Sequence, residues 1–105
     1  MSYRPYPLLS IGQNGVQETA LVGSSAFAIP NDNAGNRAQR VAIRVVTASE
    51  TVHVLPTLGG AVTAETGIPV AKETPIILDV AGYTHVSAIR AGGTNVVFNI
   101  TPIEN

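Results

Sequence analysis

The chain has no cysteine and no tryptophan, only two histidines, and few charges. Without cysteine there are no disulfide frameworks, no Cys-type zinc sites and no thiol chemistry. Charged residues make up 12% of the 105 residues, about half the usual share. The net charge of -1 argues against a protein that holds nucleic acid by electrostatics. No segment approaches the ~20 apolar residues of a membrane helix. Pro5 and Pro7 interrupt the N-terminus where a signal peptide would carry its apolar run, and only Leu8-Leu9 stands there. The expectation is a protein made and kept in a cytoplasm, or exported by a route that leaves no cleavable signal.

What is present is apolar and β-branched. Hydrophobic residues make up 45%, dominated by Val, Ile and Ala, alongside ten threonines. Such side chains suit pleated sheets better than helices. Scaling of surface with mass gives ~16,000 Å² unfolded and ~5,600 Å² folded, enough burial for one core without metals. Val41, Ile43 and Val45 alternate with Arg40, Ala42 and Arg44, and Val52 and Val54 alternate with Thr51 and His53. Ile76, Leu78 and Val80 repeat the pattern, as do Val96, Phe98 and Ile100. Period-2 alternation of this kind predicts strands.

Turn-forming residues separate the runs: Asn31-Asp32-Asn33-Ala34-Gly35-Asn36, Gly59-Gly60, Ala81-Gly82-Tyr83 and Gly92-Gly93. Gly59-Gly60 and Gly92-Gly93 read as hairpin tips. The predicted strands are 17–22, 25–29, 39–47, 51–56, 61–64, 68–71, 75–80, 84–90 and 95–101. This spacing implies an all-β fold, a single antiparallel β-sandwich or jelly-roll-like barrel. A helix through 36–46 is the competing reading; it would align Arg37, Arg40 and Arg44, but Val41, Ile43, Val45 and Val46 oppose it.

Residues 1–15 read as an extended arm and 16–105 as the β-sandwich domain. The arm carries Tyr3, Tyr6, Leu8, Leu9 and Ile11 among prolines, apolar surface that needs burial. Its expected place is against an adjacent subunit or a larger surface, with Gly12-Gln13-Asn14-Gly15 as the hinge. Arg40 and Arg44 share one strand face and form, with Arg37, the local charge cluster. They read as a solvated face first, then as an interface to an acidic protein surface, and last as a contact to nucleic-acid phosphate.

The inventory for catalysis is thin. His53 and His85 with Asp79 or Glu73 would make a two-His-one-carboxylate metal set only if the fold joined them. Gly23-Ser24-Ser25 lacks the second glycine of a nucleophile elbow. No glycine pair leads into the lysine or helix of a phosphate loop. Asp32 among amides is a weak calcium candidate. No catalytic residue, metal or cofactor is expected, and the chain does not read as an enzyme. Tyr83 and the Asn-rich loop 31–36 are the residue types that sugar sites favour.

Six stretches taken in order carry a resemblance over about three quarters of the chain. They are Ala26-Phe27-Ala28-Ile29-Pro30-Asn31-Asp32, Arg40-Val41-Ala42-Ile43-Arg44-Val45, Val52-His53-Val54, Pro75-Ile76-Ile77-Leu78-Asp79-Val80, Thr84-His85-Val86-Ser87-Ala88-Ile89 and Asn99-Ile100-Thr101-Pro102-Ile103. In this order they resemble small virion proteins of tailed bacteriophages, of the capsid decoration or cement type. The resemblance implies a compact β-sandwich that braces an assembled shell, with the major capsid protein as partner and a homo-oligomer, a trimer first. It implies a place on the virion's capsid surface after assembly in the host cytoplasm, with no nucleic acid and no membrane bound. Many small phage β-proteins serve tails, baseplates or head fibres instead, and that is the alternative. A small cupin-like metalloenzyme is the remote one.

Overall fold

The computed structural model describes residues 10–11, 15–47, 50–63 and 66–104. The described residues are all-β, and nine strands follow in chain order. They are β1 (Ser10–Ile11), β2 (Val16–Ala20), β3 (Ser25–Ala28), β4 (Arg40–Val45), β5 (Thr51–Thr57), β6 (Ile68–Ala71), β7 (Ile76–Asp79), β8 (His85–Arg90) and β9 (Val96–Glu104). Two antiparallel sheets pack face to face. Sheet I has the order β2-β9-β4-β7, and sheet II has the order β3-β8-β5-β6. From β2 onward the chain changes sheet at every connection except β5–β6. That alternation is the winding of an eight-stranded jelly roll.

The period-2 runs become the strands they predict, because each buries one row against the facing sheet. Val41, Ile43 and Val45 of β4 and Val96, Phe98 and Ile100 of β9 point inward from sheet I. Val52 and Val54 of β5, Val70 of β6, and Val86 and Ala88 of β8 meet them from sheet II. Phe98 reaches across to Phe27 of β3, edge to face, with ring centroids 5.5 Å apart at 74°. Each fully buried Val, Ile or Phe stabilises the fold by roughly 1.5–3 kcal/mol, so this filled interior is what holds the sheets together.

The strand reading of 39–47 holds against the competing helix: Arg40–Val45 is β4, hydrogen-bonded on both sides to β7 and β9. Two expectations are corrected. Residues 61–63 are not a strand. The Thr63 N–H donates to Thr66 Oγ1 at 3.1 Å, the Thr66 N–H to Thr63 Oγ1 at 3.2 Å, and the Gly67 N–H to the Thr63 carbonyl at 2.9 Å. Such local bonds compete with a ladder and turn the chain instead. Of the two glycine pairs, only Gly59-Gly60 sits in a hairpin connection, since β5 and β6 pair antiparallel. Gly59-Gly60 lies in the long β5–β6 loop, and Gly92-Gly93 lies in the turn that carries the chain from sheet II to sheet I.

β1 extends the same edge of β9 that β2 occupies, pairing Ser10 with Glu104 and Ile11 with Ile103. β2 pairs Val16 with Ile100 through Ala20 with Val96. Residues 1–9 and 12–14 of the expected arm and hinge lie outside the described residues.

Candidate functional site

The two outer faces of the sandwich differ. On sheet II the β5–β6 loop folds back over the strands. Ser87 and Thr57 point outward, yet both are buried beneath it, bonded to each other at 2.9 Å. Ser87 also donates to the Gly60 carbonyl, and the Gly59 N–H donates to Thr57 Oγ1 at 3.2 Å. Farther along the loop, the Val62 N–H donates to Ser24 Oγ at 2.9 Å, and the Val62 side chain is buried. Gly67 completes the cover because only a residue without Cβ fits there. A Cβ at Gly67 would lie 2.7 Å from His53 Cβ and 2.9 Å from Val62 Cγ2.

No described loop covers the outer face of sheet I. Its rows follow from the register: Gln17, Asn99 and Arg44 lie side by side, and Thr101, Ala42 and Ile77 lie in the next row. Arg40 stands opposite Asp79 at the end. Arg40 and Arg44 are exposed on this face with Ala42 between them, as the alternation predicts. Ile77 is 46% exposed. Ile11 lies on the β9 edge of the same sheet, while Tyr3, Tyr6, Leu8 and Leu9 lie outside the described residues. Arg37 belongs elsewhere, in the β3–β4 loop, so the three arginines do not form one stripe.

The fold does not assemble the two-His-one-carboxylate set. In the β5–β8 register His53 faces Ile89 and His85 faces Thr57, which puts the histidines four positions apart, about 13 Å along the strand. Both are on the outer side of sheet II, whereas Asp79 is on the outer side of sheet I. His85 Nδ1 is 2.7 Å from Thr84 Oγ1, and His53 Nδ1 is buried without a partner. Among the described residues no three His, Asp or Glu side chains cluster as metal ligands would. Ser24, from the Gly-Ser-Ser triplet, accepts the Val62 N–H and ties down the β5–β6 loop.

At one end of the sandwich the β3–β4 loop and the β7–β8 turn cross between the sheets side by side. They enclose a cavity of about 210 Å³ lined by Ile29, Asn31, Arg37, Ala38, Tyr83 and Thr84. Tyr83 and the Asn-rich loop, remote in sequence, meet here. Each wall is locally fixed. The Tyr83 N–H donates to the Val80 carbonyl at 3.0 Å, closing a tight turn whose third residue is Gly82. Gly82 has φ +86°, the value a type II turn requires at that place and one that side chains resist. Opposite, Asp32 is 4% exposed, and its Oδ1 accepts the N–H groups of Ala34 at 3.0 Å and Asn36 at 2.8 Å. The Glu104 carboxylate accepts the Asn33 N–H with both oxygens, at 3.0 and 2.9 Å. Asp32 is thus the internal clasp of its loop, a use that competes with calcium binding. The Ile29 N–H donates to the Thr84 carbonyl at 3.1 Å and joins the two walls.

Sequence reasoning singled out Tyr83, Asn31 and Arg37 but not Ile29, Ala38 or Thr84. The last three carry no signal beyond their place beside the turns. No protein-family model, curated protein or solved structure matches this chain.

Proposed function

We propose that the chain is a structural virion protein that binds the outside of a phage capsid and stabilises it, acting by binding alone. The observation that carries this reading is the difference between the outer faces. Sheet II covers its own outer face, and among the described residues sheet I leaves an open one, where Gln17, Asn99, Thr101, Ala42 and Ile77 lie with Arg40, Arg44 and Asp79. An open sheet face with two guanidinium groups suits the acidic surface of a large protein better than a small substrate. The N-terminal segment supports the same side, since β1 runs along the β9 edge of sheet I. The resemblance to decoration proteins supplies the partner, the major capsid protein, and favours a trimer.

Binding across subunit junctions stabilises a shell by mass action, because the ligand is lost when the junction opens. The test is cosedimentation of the purified protein with capsids that lack it, followed by thermal melting of the shells. Saturable binding and a higher melting temperature are expected. Capsids that neither bind the protein nor gain stability would overturn the reading.

The alternative is a place on the tail, the baseplate or a head fibre. The cavity that joins Tyr83 to Asn31 favours it, because a recognition pocket suits a host-facing part. Immunogold labelling of virions separates the two, heads against tails.

A further inference from the structure

We infer that the free edge of β7 pairs antiparallel with β7 of a second copy of this chain, about a two-fold axis at Ile77. The inference goes beyond the virion reading and does not depend on it.

The ladders fix which way each backbone group points. The Val80 N–H donates to the Gln39 carbonyl at 2.9 Å, in the register that sets Val41 opposite Leu78 and Ile43 opposite Ile76. Bonded and non-bonded pairs alternate in an antiparallel ladder, so the odd residues of β4 bond to β7. The even ones turn to β9, in line with the bond from the Val46 N–H to the Val97 carbonyl at 2.7 Å. Ile77 and Asp79 stand opposite Ala42 and Arg40. Their own N–H and C=O groups therefore point out of the sheet.

Unpaired edges invite another strand, and the other edges of this sandwich carry guards. The Ala91 N–H donates to the Thr51 carbonyl at 3.0 Å, which turns the odd residues of β5 toward β8. Across from His53, residue 69 of β6 then faces outward, and it is a proline with no N–H to offer. On β2, Glu18 stands opposite Phe98, a half-buried charge in the inward row. At β3, the Val62 N–H of the β5–β6 loop donates to Ser24 where the strand begins. Among the described residues β7 has none of these guards. Its inward row is Ile76 and Leu78, and Ile77 on the outer side is 46% exposed.

This edge is complementary to itself. Centred on Ile77, the pairing lets each Ile77 N–H donate to the Ile77 carbonyl of the other copy. It sets the two Ile77 side chains together and puts Ile76 opposite Leu78 in the inward row. Asp79 falls opposite Pro75. A register centred on Asp79 would oppose two carboxylates, and one centred on Leu78 would set each Asp79 against an isoleucine, so side-chain pairing selects Ile77. An edge of four residues buries far less than the ~1,200–2,000 Å² of stable complexes, and the pair is accordingly weak and reversible.

The test is sedimentation equilibrium of the full chain up to about 1 mM. The average mass should rise with concentration toward twice that of the smallest species, be that one chain or a trimer. Ile77→Pro removes the outward N–H and leaves the β4 ladder intact, and should weaken association about tenfold or more. Ile77→Lys keeps that N–H but brings like charges together, and should do the same. Thr19→Pro makes the same backbone change on the β2 edge, where the Thr19 N–H also faces outward, and should associate as the parent does. Melting curves establish that each variant is folded. In hydrogen exchange on the parent, the Ile77 and Asp79 amides should slow as the concentration rises, while the Val80 amide is protected throughout.

The inference is overturned if the mass stays constant up to that concentration, or if Ile77→Pro and Ile77→Lys associate as the parent does. Association kept by Ile77→Lys and lost on removal of residues 1–9 would assign the contact to the N-terminal segment and overturn it equally. All of these outcomes are read on the isolated protein, so they stand apart from success or failure on capsids.

Discussion

The outer faces of sheets I and II are built on the same alternation, and the chain treats them in opposite ways. On sheet II, Ser87, Thr57 and His53 point away from the core and are then roofed by residues 58–63, 66 and 67 of the chain's own β5–β6 loop. On sheet I, the equivalent rows from Gln17 to Arg44 and from Thr101 to Ile77 have no such roof among the described residues. A polar residue in a strand can therefore be a surface group or the floor of a second, smaller packed layer. Alternation decides which side of the sheet a residue faces, and the loops decide whether that side meets solvent.

The comparison breaks most completely at the shared core. Phe98→Ala removes the ring that links both sheets through Phe27 and should cost about 3–5 kcal/mol in urea unfolding. Both faces should lose order together. A more selective change is Gly67→Ala. Its new Cβ meets His53 Cβ and the Val62 side chain, and overpacking of this kind costs about 1–3 kcal/mol. Hydrogen exchange should rise in the β5–β6 loop while sheet I keeps its protection. Ser87→Ala is milder. It removes the bonds to Thr57 and the Gly60 carbonyl and should cost about 1 kcal/mol by the same unfolding assay. Arg44→Glu is the smallest change in stability, within about 0.5 kcal/mol, because the side chain is exposed on sheet I. On the proposed function it should nonetheless abolish cosedimentation with capsids, a separation of folding from binding that no substitution beneath the sheet II roof should reproduce.

The strands were largely legible because burial writes itself into the sequence at period 2. β4, β5, β7 and β9 each follow from two or three alternating apolar residues, and even the arginine-bearing stretch at 40–45 resolves as a strand once Val41, Ile43 and Val45 are weighed. What the residues do not contain is which sheet the next strand joins. Gly92-Gly93 marks a reversal correctly, but the chain uses it to cross from β8 to β9 rather than to pair them. Val62 looks like one more strand residue, and the mutual bonds of Thr63 and Thr66 make its segment part of a loop. The arginines show the same limit. Arg40 and Arg44 share a face by local periodicity, whereas Arg37, three residues before Arg40, ends up beside Tyr83 because two inter-sheet loops lie together. Tyr83 and Asn31 were each legible as residue types, but their meeting is a property of the jelly-roll winding, 52 positions apart in the chain.

The claim that sheet I is the binding face is tested most directly by hydroxyl-radical footprinting of the protein, free and on capsids. Two exposed aliphatic residues report on the two sides: Ile77 on sheet I, 46% exposed, and Leu58 on the sheet II loop, 72% exposed. Protection of Ile77 with Leu58 still labelled at its free rate is the predicted result. Protection of Leu58 with Ile77 unchanged would contradict the account, because it would put the shell against the face that the chain already covers.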